Sequence, residues 1–308
     1  MVTRFRPALA LGLVLASLSI AAAPALAKGE GKSKKETTRK VGRFRVMSFN
    51  IRFDFPNDGP NRWSHRAATV AKVIRESEAI IVGLQEDKIE QVEDLKQLLP
   101  EYEFLGPRGR NGSSGERCAI AVRTDLVRVK ETGEFWLSDT PEVVGSNTWG
   151  DRYPRKVTWG LLEVKGNKSK VLALNLHLPE RDSGPDVANR VRGARLLNEF
   201  IAGKVPAKER SKVAVVVTGD FNSTPDEEPR KALCDDLPLR DAWQDAGARH
   251  ERSPGTYGAF NGARGNDRID WILLGGPLRA HAYVKIDEQV DGRWPSDHYP
   301  IIAEVELR

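Results

Sequence analysis

Two cysteines are all that this 308-residue chain carries, and five histidines are its only imidazoles. Cys118 sits in RCAIAVR and Cys234 in ALCDDL, far apart in apolar settings. They read as two separately buried thiols rather than a bridge or a redox pair. No cysteine pair and no histidine pair stands at metal-ligand spacing, so a structural zinc site is excluded. The chain also lacks any real excess of charge. The formal +5 comes from 48 basic and 43 acidic residues, yet Arg4, Arg6 and the stretch KGEGKSKKETTRKVG at 28–42 account for it, leaving 40 basic against 41 acidic. A near-neutral body does not by its bulk charge argue for a polyanion partner. Internal repeats are absent as well.

A long apolar run occurs only at the start, in MVTRFRPALALGLVLASLSIAAAPALA. Arg4 and Arg6 precede it and Ala25-Leu26-Ala27 follows, while the run is shorter and richer in alanine than a membrane span of about 20 residues. Residues 1–27 therefore read as a cleaved signal peptide, and the protein as exported, to a periplasm or the medium. Residues 28–42 are polar and aperiodic and read as a basic flexible tether. No transmembrane segment is expected after cleavage.

From residue 43 onward, short apolar runs alternate with helical patterns, which specifies α/β layering. RFRVMSFNIRF predicts a first strand. SHRAATVAKVIRES places Ala67, Val70, Ala71 and Ile74 on one helical face, with Ser64 expected to cap it. AIIVGLQE predicts a strand buried on both faces. DKIEQVEDLKQLL sets Ile89, Val92, Leu95 and Leu99 on one stripe. RCAIAVR, KVTWGLLEVK, KVLALNLHL, KVAVVVTGDFN, RIDWILL and PIIAEVELR predict further strands, with one long helix in VANRVRGARLLNEFIAG. KVTWGLLEVKG and NKSKVLALNLHL, parted by polar turn residues, predict an antiparallel hairpin and hence a mixed sheet.

The apolar strands repeatedly finish in groups that carry chemistry. VMSFN ends in Asn50 and VGLQE in Glu86; NLHL holds His177; TGDFN supplies Asp220 and Asn222; RIDWIL holds Asp270; SDHYP supplies Asp297 and His298. Strand ends and the loops that leave them converge on one rim in layered α/β folds. Turn chemistry would accept Ser, Gly or Asn at each place. Three aspartates, a glutamate, two asparagines and two histidines instead provide the hard oxygen donors of a magnesium or manganese site, with imidazoles for phosphate and proton work.

The ordered set MSFNIR, VGLQE, NLHL, GDFNSTP, RIDWIL and SDHYP resembles the endonuclease/exonuclease/phosphatase superfamily from about Arg43 to Arg308. That superfamily includes pancreatic deoxyribonuclease, abasic-site endonucleases, Ccr4-type deadenylases, neutral sphingomyelinases and inositol polyphosphate 5-phosphatases. FWLSDTPEVVGSNTWGDRYPRKVTWGLLE and GTYGAF further resemble an exported bacterial branch nearest the Ccr4-like members. The resemblance implies a four-layer α/β sandwich, two mixed β-sheets packed face to face with helices outside. It implies a Mg2+-dependent hydrolase, with Mn2+ as a substitute, in which Glu86, Asn50 and Asp297 surround the metal. His298 becomes the imidazole at the phosphate, oriented by Asp270. Asp220 aims and deprotonates the attacking water, and Asn222 and His177 hold phosphate oxygens.

For the substrate, GDFNSTP and RIDWIL are spelled more like the phosphodiesterase and deadenylase branches, which puts a nuclease-like phosphodiesterase acting on nucleic acid or nucleotides first. A phosphomonoesterase or a sphingomyelinase-like phospholipid diesterase is the alternative, and a catalytically inert secreted binding module the second. Arg155, with Arg152, Arg190, Arg192 and Arg195, is a candidate phosphate contact. Trp63, flanked by Asn61 and Arg66, is expected to line the cleft near the first strand, and Trp149 and Trp294 to stack a base or sugar. A monomer is expected.

Overall fold

The computed structural model describes residues 42–307 except 167, 235 and 236. The signal peptide and all but the last residue of the tether lie outside the described residues. In chain order the elements are β1 (Arg43–Asn50), α1 (Trp63–Ser77), β2 (Ala79–Gln85), α2 (Ile89–Leu98), β3 (Tyr102–Leu105), β4 (Ile120–Arg123), β5 (Val127–Trp136), β6 (Lys156–Val164) and β7 (Ser169–His177). They continue with α3 (Asp186–Lys204), β8 (Val213–Asp220), α4 (Glu228–Cys234), β9 (Arg240–Asp241), α5 (Ala242–Asp245), β10 (Ala248–His250), β11 (Asp270–Gly275), β12 (Leu278–Lys285) and β13 (Ile301–Leu307).

These strands form two mixed sheets, one ordered β10-β12-β13-β1-β2-β4-β3 and the other β5-β6-β7-β8-β11-β9. The expected hairpin is β6–β7, antiparallel from Val157↔Leu176 to Val164↔Ser169. Three apolar clusters separate four layers. Val46, Ile81 and Val122 of the first sheet meet Ala173, Val216 and Ile272 of the second between the sheets. Val70, Ile74 and Leu95 of α1 and α2 cover the first sheet's outer face. Ala194, Leu197 and Ile201 of α3 and Leu233 of α4 cover the second's. β2 is buried throughout, as its unbroken apolar run requires.

Helix α1 corrects one expectation. Ser64 lies inside the helix and does not cap it; the carboxylate of Asp54 reaches over from the preceding loop and accepts from Trp63 N at 3.2 Å. Of the cysteines, Cys118 is a free buried thiol, whereas Cys234 is only half-buried.

A two-residue period along the inward faces positions the site. On β8 the inward row passes from Ala214 and Val216 through Thr218 to Asp220; on β7 it passes from Val171 and Ala173 through Asn175 to His177; on β1 it passes from Val46 through Ser48 to Asn50. Apolar residues thus fill the middle of the sandwich, neutral polar residues the next level, and a carboxylate, an imidazole and an amide the rim. At the middle level Gln85 donates to Asn175 Oδ1 (2.7 Å) and Ser48 Oγ (3.2 Å), and Thr218 donates to Asn175 Oδ1 at 3.0 Å. The sheets come so close here that a Cβ on Gly83 would lie 1.9 Å from Thr218 Oγ1. Only glycine permits that approach.

Candidate active site

Strand register assembles the floor of a cleft of about 370 Å³ at this rim. His177 pairs with Asp220 across β7–β8, and Asp270 with Asp220 across β8–β11. All three therefore stand in line on one inward face. Asn50 pairs with Gln85 across β1–β2, bringing the adjacent Glu86 to the opposite side. His298 arrives from the loop that enters β13.

Asp220 is the hub. Its Oδ1 accepts from Asn222 N at 3.0 Å, and its Oδ2 accepts from Asn50 Nδ2 at 3.0 Å. The same Oδ2 lies 3.6 Å from His177 Nε2 and 3.8 Å from His298 Nε2. Burial opposes its charge, but the two imidazoles and both hydrogen bonds keep its pKa below the ordinary aspartate value. Behind each imidazole stands a carboxylate. His298 Nδ1 is 2.9 Å from Asp270 Oδ2, and His177 Nδ1 is 3.5 Å from Glu116 Oε2. Burial disfavours a charged His298, yet Asp270 and Asp220 together hold its pKa well above the free value. Asn222 Nδ2 donates to Leu178 O at 3.0 Å and lies 3.0 Å from His177 Nε2, which anchors Asn222 beside that ring.

Glu86 is held by Asn50 Nδ2 at 3.1 Å and by Phe53 N at 3.2 Å. Burial first, and then the negative charges of Glu116 and Asp297, raise its pKa. Arg52 supplies partial compensation, 3.8 Å from Glu86 and 3.9 Å from Asp297. Buried oxygen donors that repel one another are the donor set a hard divalent cation neutralises, so Glu86, Asp297 and the Asn50 amide fit such an ion. Asp220, Asp270 and His298 also bring ligand-type atoms within 4.8 Å of one another and could hold a metal ion. In that group, however, His298 Nδ1 is already committed to Asp270, and an imidazolium offers no lone pair. Three cleft residues, Arg52, Glu86 and Asn222, adopt left-handed backbone at φ 55°, 60° and 47°, a region uncommon for residues that carry a Cβ.

Arg66, expected near the cleft, lies beneath it instead. Its buried guanidinium donates to Ile51 O (2.8 Å), Arg52 O (3.1 Å), Asn61 O (2.5 Å) and Pro295 O (2.7 Å). It ties the end of β1 to the loop that carries Asp297 and His298. Burial lowers its pKa to about 10, still charged at neutral pH.

Arg155 does line the cleft, ion-paired with Glu180 and 3.8 Å from Glu116. The three tryptophans are not among the lining residues. Trp63 is buried in the outer core, its indole donating to Asp94 at 2.8 Å. The Trp149 indole donates to Asp139 at 2.8 Å, in a separate hollow with Arg192 and Arg195 beside α3. Trp294 packs on Tyr299, with ring centroids 5.7 Å apart. Each large ring is spent on packing or on its N–H partner. Arg190 is likewise buried, bonded to Pro179 O and Asp182. Sequence reasoning missed Glu116, Glu180, Arg52, Arg110, Phe53, Phe55 and Tyr153, all lining the cleft. A carboxylate in GERCAI precedes its strand rather than ending it, so a search along strand ends passes over Glu116.

The geometry has a match. The sequence fits the Endonuclease/Exonuclease/phosphatase family over residues 47–298, and the chain belongs to that family. An endonuclease/exonuclease/phosphatase family protein from Bacteroides thetaiotaomicron superposes with TM-score 0.78 at 28% identity, covering 86% of this chain and 98% of that one. The mannosyl-6-phosphatase of the same organism gives 0.78 at 29%, covering 86% and 100%. TDP2 of D. rerio, solved with a single-strand DNA product, shares the fold at 19% identity and TM-score 0.66, covering 86% and 99%. No curated protein matches the sequence. The family and the site define a phosphoester hydrolase. Among the described residues no helix is long and apolar enough to cross a membrane.

Proposed function

We propose that the protein is an exported, magnesium-dependent hydrolase of small phosphate monoesters, with a phosphorylated saccharide as the best-supported substrate class. The observation that carries the hydrolase reading is Asp220 Oδ2 standing 3.6 Å and 3.8 Å from two imidazoles, each backed by its own carboxylate. Glu86, Asn50 and Asp297 would hold the cation. When bound, it polarises a phosphoryl oxygen and offsets charge on the leaving oxygen. His298, protonated by virtue of Asp270, donates to a non-bridging phosphate oxygen. Asp220 accepts the proton of the attacking water and aims it in line with the bond that breaks. Asn222 and His177 fix the remaining phosphate oxygens, and oriented donors of this kind contribute on the order of 3 kcal/mol each.

Two features favour a small ester over the nucleic acid that the motif spelling puts first. Three of the four cleft arginines are neutralised internally, Arg52 by Asp58, Arg110 by Glu116 and Arg155 by Glu180. A polyanion groove needs unpaired cations. The mannosyl-6-phosphatase supplies the second support, by the activity in its name and by a superposition that covers 86% of this chain and 100% of that one. Export rests on the pattern of residues 1–27 alone. The test is a panel of hexose 6-phosphates, a single-stranded oligonucleotide and sphingomyelin, each with magnesium and with chelator. Phosphate release from the sugar esters, lost in chelator, is expected; turnover of the oligonucleotide or the lipid alone would reverse the choice.

A further inference from the structure

Arg152 is the odd cation of the cleft. It is exposed at the rim, and among the described residues no carboxylate lies within ion-pair distance of it. Its guanidinium lies 5.0 Å from the centroid of the Tyr153 ring, and the same ring carries Arg110 at 3.9 Å. Arg110 itself is bound to Glu116 at 2.9 Å. Tyr153 therefore presents one neutralised and one unneutralised guanidinium to the cleft.

The backbone beneath Arg152 is fixed. Asn189 of α3 donates to Asp151 Oδ1 at 2.8 Å and to Trp149 O at 3.0 Å, and Asn147 Nδ2 donates to Asp151 O at 2.7 Å. A cation on a pinned loop costs little ordering entropy when it meets an anion.

We propose that Arg152 is the residue by which this cleft prefers a phosphate monoester to a diester. A monoester dianion carries one more negative charge than a diester, and of the four arginines that line the cleft only Arg152 is free of a carboxylate partner to meet it. Arg52, Arg110 and Arg155 are each committed to a carboxylate, and Glu86, Glu116, Glu180 and Asp220 repel the extra charge. The proposal rests on the phosphoester reading of the same site and adds to it the charge state that the site selects.

The test compares p-nitrophenyl phosphate with bis-p-nitrophenyl phosphate, which share a leaving group and differ in the charge of the phosphate. Steady-state kcat/KM is measured with magnesium for wild type, Arg152→Gln and Arg152→Lys, with thermal melting to confirm folding. Arg152→Gln is expected to lower kcat/KM on the monoester at least tenfold more than on the diester, and Arg152→Lys to restore part of the difference. The deficit of Arg152→Gln on the monoester should also shrink below about pH 6, where a phosphate monoester loses its second charge. Equal losses on the two esters, or no loss on either, overturn the proposal. Wild-type protein that turns over neither ester contradicts the hydrolase reading, and the proposal falls with it.

Discussion

Asp270 opens β11 and His298 lies in the loop entering β13, yet Asp270 Oδ2 and His298 Nδ1 stand 2.9 Å apart. The pairing raises the pKa of His298 against the effect of its burial. Removing the negative charge with Asp270→Asn leaves burial to act with less opposition, so the imidazole deprotonates at lower pH. We expect the alkaline limb of kcat against pH to move toward acid, and kcat at its optimum to fall about a hundredfold or more. An unmoved limb would show that His298 does not act as an imidazolium.

Glu116 governs acid stability. Burial resists its ionisation, but the hydrogen bond and charge of His177, with Arg155 and Arg110, outweigh it and hold its pKa at about 2. A carboxyl with a depressed folded pKa stabilises the fold above its unfolded value of about 4.3 and loses that contribution as pH falls toward the folded value. Glu116→Gln should therefore cost up to about 3 kcal/mol at neutral pH and flatten the fall in Tm between about pH 4.5 and pH 2. Calorimetric melting curves of the two proteins that stay parallel over this window would contradict the assignment.

Arg66 couples stability to turnover. Lysine cannot span the four carbonyls that its guanidinium joins, and each buried carbonyl left unpaired costs about 1–3 kcal/mol. We expect Arg66→Lys to lower Tm by several degrees. Because Pro295 and Ile51 are then no longer held together, kcat measured well below Tm should fall more than KM rises. A destabilised variant with full kcat would make Arg66 a purely structural residue.

Much of this was legible because the period of a strand is two. Asn50, His177, Asp220 and Asp270 were recoverable as strand-end residues, and strand register then put the last three in line. Glu116 was not, since it sits in an irregular segment before β4 and reaches His177 only through the tertiary fold. β5 escaped as well. Its polar sequence VRVKETGEFW is that of an edge strand whose middle faces solvent, so the apolar alternation that reveals buried strands is missing. The tryptophans misled in the opposite way. An indole beside a loop looks like a stacking surface in sequence, but the partners Asp94 and Asp139 that occupy Trp63 and Trp149 are 31 and 10 residues away.

The claim on which the chemistry depends is that Glu86, with Asn50 and Asp297, holds a divalent cation that hydrolysis requires. Its most direct test is a magnesium titration of p-nitrophenyl phosphate hydrolysis, using chelator-stripped wild type and Glu86→Gln. The account predicts that stripped wild type is inactive until magnesium is added, and that Glu86→Gln needs at least about tenfold more magnesium and keeps only a small fraction of kcat. Stripped wild type that still turns over, or a variant that responds to magnesium as wild type does, would contradict it.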